Sequence, residues 1–464
     1  MDCPPEIPAP VAAHATDSLG TERIGLLLLR FSIPAIVGML VNALYNIVDR
    51  MFIGYGVGAQ GIAGVTIGFP LMMAMVSFSI LVGVGANTLF SIRMGEGRRA
   101  EAERILGNAF GLLFFIPLAA SLVGLAYLDP LLRLMGAGDE LLPYARSYAR
   151  VILYGIALST TGHGLSHFIR SDGHPYVSMA AMLIGAITNT LLDPLFIFVF
   201  HWGMAGAAWA TVISQGLSFA WCLGYFLAPR HGTRLRRRNL RLDFRQIVWP
   251  LLAIGFAPFA MNLANSLLNV ILNRGLRQYG GDAAIAVMGI LSAYMSIIFM
   301  PTFGITQGAQ PLMGYNYGAR KYARVRRLFH TCVVAATALL VAGWIVSQSF
   351  PVPILRLFAP ADSELIPLGV RALRIFTLAF PVIGFPIMAG NLFQAIGKPV
   401  QAGFIALARQ ILLFIPFLIV FPKFYGLTGI FAAAPASDVL TCLIALVLVS
   451  RQMRTLRRME REMP

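Results

Sequence analysis

Asn42, Tyr45, Asn46 and Asp49 recur at i, i+3, i+4 and i+7 in the first long apolar run of the chain, so on a helix they share one face. A carboxyl group inside a membrane-length segment is costly, and where one is kept it marks a functional position. Such a polar stripe has to face protein or water rather than lipid. Of twenty Asp and Glu, only Asp49, Asp193 and Asp438 lie well inside apolar spans, and no glutamate does. Asn189 and Asp193, four residues apart, share a face of a second helix. Two carboxyl groups in low dielectric make each other's charged state harder to hold and titrate as a pair, which suits a proton switch. The same oxygens, joined by an amide and a hydroxyl, would equally suit a small hard cation such as Na⁺.

The elements that carry these residues follow from composition. The chain has 464 residues, 58% hydrophobic and 12% charged, where a soluble domain carries about a quarter charged. Apolar spans recur from residue 24 to residue 450, which predicts an all-α polytopic membrane protein. Twelve transmembrane helices are expected, at about 24–53, 61–90, 104–128, 144–168, 175–200, 204–228, 247–275, 284–313, 328–349, 367–394, 400–422 and 427–450. Residues 1–22 hold four acids and no Lys or Arg, unlike a cleaved signal. Cys3, Cys222, Cys332 and Cys442 show no paired spacing and read as packing residues.

The net charge of +16 is concentrated in four places: seven arginines in 230–245, five in the C-terminal tail, five basic residues in 320–327 and four in 93–104. With those segments inside, 25 of the 36 Lys and Arg are cytoplasmic. That asymmetry is the positive-inside rule, and it places both termini in the cytoplasm of a cell whose inner membrane holds the chain. It also removes nucleic acid as the reason for the charge.

The two halves repeat. A shift of 223 residues lays 85–104 on 308–327, 129–140 on 352–363 and 203–209 on 426–432, and a shift of 224 lays 171–175 on 395–399. Six helices per half give two pseudo-symmetric six-helix lobes of like orientation, a parallel repeat of the kind that transporters use for alternating access. The expected divisions are a cytoplasmic tail (1–23), an N-lobe (24–228), a solvated basic linker (229–246), a C-lobe (247–450) and a basic tail (451–464). The repeat also separates the lobes chemically. Asn42 and Asn46 correspond to Asn265 and Asn269, but Asp49 corresponds to Leu272, and Asn189 and Asp193 to Leu412 and Pro416. The acid site belongs to one lobe.

The remaining polar residues have two readings each. Pro194, next to Asp193, either frees a carbonyl for an ion or makes a packing kink. Arg409 and Asp438 reach similar depths, as a static ion pair or as substrate-recognising groups. Arg50 cannot face Asp49 from the next position and is expected to point outward. His163 and His167 lack a third buried ligand, so polar packing is preferred to metal binding. Gln307, Gln310, Asn391 and Gln394 either line a C-lobe cavity or bond between helices. No Ser/His/Asp order, metal-ligand cluster or phosphate loop supports an enzyme.

The stretches IPAIVGMLVNALYNIVDRMFIG, FIRSDGHP, NTLLDPLFIF and QPLMGYNYGA resemble those of bacterial multidrug and toxic compound extrusion (MATE) transporters, over residues 20–450. The resemblance implies efflux of amphipathic, often cationic drugs against an inward H⁺ or Na⁺ gradient, with no cofactor beyond the coupling ion. It maps the N-lobe cation site onto Asp49, Asp193 and Asn189, with Thr211 as a further ligand. The family's polar position on helix 4, often asparagine, falls at Ser166 or His167 and is altered here. Acids that some relatives carry on helices 7 and 10 are absent. Asn42, Asn46, Asn265, Asn269, Gln307, Gln310, Asn391, Gln394 and Asp438 are the candidates for the substrate cavity, in a protein expected to be a monomer in the bilayer. The alternative is a lipid-linked oligosaccharide flippase, which needs a wide basic cavity, whereas only Arg409 is basic deep within a span.

Overall fold

The computed structural model describes residues 18–228, 233–358 and 365–462. Residues 1–17 of the expected tail (Cys3 among them), 229–232 of the expected linker, 359–364 and 463–464 lie outside the described residues. Helix is the regular structure throughout the described residues, as required where no water is at hand to satisfy the backbone. In the first half α1 spans Ile24–Gly56, α2 Ala59–Gly95, α3 Arg99–Ala126, α4 Leu142–Ser171, α5 Pro175–Pro194 and α6 Gly203–Leu227. Trp249–Gly318 is broken at the non-helical Gly281 into α7 (249–280) and α8 (282–318). α9 spans Tyr322–Ser349, and α10 is bent by 51° between Leu365–Phe376 and Phe380–Ala395. α11 (399–425) and α12 (427–461) meet at the non-helical Gly426.

That makes twelve long helices among the described residues. Among the described residues, eight continuous helices, or nine with bent α10 counted as one span, are long and apolar enough to cross a membrane; α7–α8 and α11–α12 each count as one continuous helix there, and α4 is not among them. α4 falls short because it carries Arg146, Arg150, His163, His167 and Arg170, yet twenty of its thirty residues are buried. Small residues let its neighbours come close. A Cβ on Gly155 would meet Val212 of α6 at 2.6 Å, and one on Gly164 would meet Leu113 of α3 at 2.2 Å.

Several helices outrun their expected ends. α2 continues to Gly95, α9 begins at Tyr322, and α12 runs through the expected C-terminal tail to Arg461. Charge limits the membrane, not the helix: Arg, Met and Glu are good helix formers in water as well. The last turns of α12 are also held from the side. Leu456 is fully buried, Lys398 Nζ donates to Gln452 Oε1 at 2.6 Å, and Arg326 pairs with Glu460.

The repeat is written into the backbone. Positive-φ glycines recur at matching turns: Gly58 with Gly281, Gly203 with Gly426 and Gly173 with Gly397. The fourth pair departs from the rule, because Gly97 (φ 75°) is matched by Arg320 (φ 58°).

The chain forms two compact units. One takes in Val37–Gly255, the other Ile24–Ile36 and Phe256 onward. Each therefore includes the opening turns of the other repeat's first helix. In the first unit α2 lies against the start of α7, where a Cβ on Gly85 would sit 1.9 Å from the Leu251 carbonyl oxygen. In the second, α8 lies against the start of α1, where a Cβ on Gly308 would sit 2.9 Å from Phe31 and Ser32.

The connection between the repeats was expected to be solvated. Its described part, 233–246, keeps Arg236, Arg237, Arg238, Arg241 and Arg245 exposed and is also strapped to the first unit. Asn108 Nδ2 donates to the carbonyls of Asn239 (3.3 Å) and Arg241 (3.1 Å), while Asn108 Oδ1 accepts from Asp243 N at 2.7 Å. Glu103 pairs with Arg236 and accepts from Arg234 N. Asp172, in the turn after α4, accepts from the hydroxyls of Thr233 and Tyr225. Burial pushes its carboxyl above the ordinary range, and those two hydrogen bonds, with His174 and Arg99, oppose the shift.

Arg320 is exposed at its turn, and a left-handed conformation costs an L-residue about 1–2 kcal/mol, part of which glycine returns through unfolded-state entropy. Arg320→Gly is therefore expected to stabilise the protein by about 0.5–1 kcal/mol, seen as a higher apparent melting temperature in detergent. A lower one would contradict this account of the turn.

Candidate functional site

Asp49 lies on the buried side of α1, and its neighbour Arg50 is exposed. α5 brings Asp193 close enough for the two carboxyl groups to act on each other. Asp193 has no exposure to solvent and Asn189, one turn earlier, has 1%. Asn189 Nδ2 donates to Asp193 Oδ1 and to Thr211 Oγ1 of α6, each at 3.4 Å. Asp49, Asp193, Asn189 and Thr211 are thus one cluster, built from three helices of the first unit.

Two tyrosines complete it. Tyr148 of α4, 3% exposed, contacts the Thr211 hydroxyl. Tyr45 of α1 contacts Asn46 and Gln215 of α6. Neither Tyr148 nor Gln215 was singled out by sequence reasoning. Gln215 carried a usable signal, since it stands one turn from Thr211 on the same face. Tyr148 carried none, being one aromatic among many in a helix with little stripe.

The cluster is short of donors. Asp49 Oδ1, Asn189 Oδ1 and Asp193 Oδ2 are buried without a hydrogen-bond partner. Three unpartnered acceptor oxygens in one cluster, two of them on carboxyl groups, are what a proton or a small hard cation satisfies. Among the described residues no Lys or Arg is hydrogen-bonded to Asp49 or Asp193 in their stead. The Pro194 break lies next to this site. The helix widens there into a π turn, Leu195–Val199, a form common at functional positions.

Beside Tyr45 and Gln215 lies a partly open cleft of the first unit, lined also by Asn42, His163, Ser166 and Ser214. Asn42 and Tyr45 therefore face it. Asn46 is exposed and bonds back to the Asn42 carbonyl at 2.7 Å. Ser166, at the altered helix 4 position, bonds to Ser178 at 2.8 Å, and His163 Nδ1 to the Ser159 carbonyl.

The candidates of the second unit do not converge in the same way. Asn269 bonds to the Asn265 carbonyl of its own helix. Asn391 Nδ2 donates to the Thr306 carbonyl of α8 at 3.2 Å, a helix-to-helix bond. Gln310 is buried, Gln307 half-buried, and Gln394 Nε2 is buried without an acceptor. Gln410 Nε2 donates to Asn265 Oδ1 at 2.7 Å, and Arg409 Nε to Asp438 Oδ1 at 2.6 Å.

Both halves match one sequence family: the MatE profile covers residues 34–195 and again 258–420. The chain belongs to the MatE family. This MatE protein is 24% identical to the multidrug export protein MepA of Staphylococcus haemolyticus over 438 residues, 91% of this chain and 92% of that one. The MepA of Staphylococcus aureus strain MSSA476 is likewise 24% identical, over 422 residues. Among solved structures, an outward-facing MATE transporter of the MOP superfamily superposes with a TM-score of 0.87 at 23% identity, covering 96% of this chain and 99% of that one. A MATE structure in the bent conformation gives 0.88 at 24% identity, with 96% and 98% covered. The fold of this MatE protein is the MATE fold, and its named relatives are transporters rather than enzymes.

Two buried acids with unsatisfied oxygens store unfavourable energy. In Asp49→Asn one charge is gone and the new amide has a carboxyl oxygen of Asp193 to donate to. The substitution is expected to raise the apparent melting temperature, by about 1–3 kcal/mol in stability. A destabilised variant would mean that the pair is a structural contact.

Proposed function

We propose that this MatE protein is a multidrug efflux antiporter of the cytoplasmic membrane. It exports amphipathic and organic cationic compounds, driven by inward H⁺ or Na⁺. The observation that carries the coupling is the set of three buried, partnerless oxygens on Asp49, Asn189 and Asp193, confined to one of two otherwise matching repeats. The relatives' name, multidrug export protein, supports the direction and the breadth of substrate. Abundant Met and Phe suit an adaptable surface for varied apolar cargo.

The site works by competition for charge. With its cation bound the cluster is satisfied, and α1, α5 and α6 are drawn together around Asp49, Asp193 and Thr211. With the cation gone the two carboxyl groups repel, and the helices that carry them favour another arrangement. Asn42, Tyr45 and Gln215 join the cluster to the neighbouring cleft, so cation and drug act on one set of helices. Alternating access follows when each ligand favours a different arrangement. Basic residues at the ends of α2, α8 and α12 and in the strap support a cytoplasmic side for those ends and for both termini.

Asp49→Asn is expected to abolish drug resistance in an efflux-deficient host while the protein remains at its normal level in the membrane. A fully active Asn variant would refute the coupling role. Thr211→Val should cut transport about tenfold and Thr211→Ser should restore most of it, since one hydroxyl ligand to a charged centre is at stake. The driving ion is read from drug efflux by proteoliposomes under ΔpH and ΔNa⁺ imposed separately. Efflux under neither gradient would overturn the antiport reading.

A further inference from the structure

Arg409 lies in α11, ten residues past its start at Pro399, which is roughly 15 Å into a membrane-length helix. It shares a face with Ala402 and Ile405, both buried, so it looks into the second unit rather than toward lipid. Its one hydrogen bond runs from Nε to Asp438 Oδ1 at 2.6 Å. The pairing is single-point: the guanidinium's terminal nitrogens, with four further N–H donors, take no part in it. The Arg409 side chain is 27% exposed against 6% for Asp438. A guanidinium edge uncovered at that depth has to meet water or a ligand, because hydrocarbon would not tolerate it.

Three further observations fit a built site. The helix widens at this point into a π turn, Ala408–Phe414, which turns Arg409 out of the ordinary helical ladder. On the neighbouring face of α11, the 2.6–2.7 Å bonds to Asp438 of α12 and from Gln410 to Asn265 of α7 fix the rotation of the helix. The internal repeat supplies the third. Asp438 corresponds to Gln215, and Arg409 to Ala186 or Gly185 according to which of the two shifts applies. All three line the cleft of the first unit.

We propose that Arg409, held by Asp438, is a recognition subsite for substrates that bear a carboxylate. The planar fork takes the ligand carboxylate on its free Nη edge, where bidentate geometry is available and lysine cannot reproduce it. The arginine charge is already balanced by Asp438, so the favoured ligand is zwitterionic, its cationic end directed to the aspartate and its carboxylate to the arginine. A purely cationic drug does not need this edge. The lobes then divide the work: acids without a partner in the first, and a paired arginine that sorts substrates in the second.

This subsite rests on the efflux reading above, so the test carries its own control. Proteoliposomes are loaded with a piperazinyl quinolone carboxylate, with its methyl ester, or with ethidium, and initial rates are compared for wild type, Arg409→Lys and the doubly neutral Arg409→Gln/Asp438→Asn. In wild type the acid should show a KM about tenfold or more below that of the ester. Both variants should erase that preference by raising the KM of the acid, and Arg409→Lys, which keeps Asp438, should leave ethidium efflux within about twofold of wild type. The lysine variant keeps the charge pair, so a merely structural pair would leave its acid-to-ester ratio unchanged. That result, an equal loss on all three compounds, or a wild type that does not distinguish acid from ester would overturn the proposal. If wild type exports none of the three, the efflux reading itself fails.

Discussion

Two carboxyl groups held against each other, out of water and without a basic partner, are the constraint around which the first unit is arranged. Placing one charge in low dielectric costs several kcal/mol, and a second beside it costs more unless something positive is shared between them. The surroundings do not remove that cost. Asn189 spends its two donors on Asp193 and Thr211, and three buried oxygens of the cluster are left without a partner. Elsewhere a buried acid does have an arginine beside it, as Asp438 of α12 has Arg409 of α11. A polar site left incomplete in this way changes state when a positive charge reaches it, and the proposed coupling uses that property.

Around that site the helices do ordinary work. α4 is the least apolar and among the most buried, and it carries Tyr148 to the cluster and His163 and Ser166 to the cleft. It can be polar because α2, α3 and α6 stand between it and lipid, packed close at its glycines. The repeat supplies two copies of the scaffold, and only one received the acids. The second copy has Leu272 and Pro416 where the first has Asp49 and Asp193, so its polar side chains were free to serve other ends.

Much of this was legible in the sequence, for identifiable reasons. Apolar runs of membrane length mark helices because lipid permits almost nothing else, and the repeat was visible because turns keep their glycines: Gly58 and Gly281, Gly203 and Gly426. Asp49, Asn189 and Asp193 stood out because acids in spans are rare enough to count. The strap did not stand out. An arginine-rich connection reads as solvated, and its anchors, Glu103, Asn108 and Asp172, stand far away in the chain and look unremarkable where they are. Helix ends were read short for a related reason, since hydropathy reports where the bilayer stops and α12 continues past it. The contribution of Tyr148 depends wholly on tertiary contact.

The exchange of opening turns between the repeats ties each unit to both halves of the chain. Residues 249–255, from the second repeat, fill the groove beside Gly85, and Ile24–Ile36, from the first, fill the matching groove beside Gly308. A six-helix protein corresponding to a single repeat would carry both the groove and the turns that fit it, but its own turns would be committed elsewhere. In this fold neither repeat closes its own groove, and each compact unit is completed by the opening turns of the other repeat.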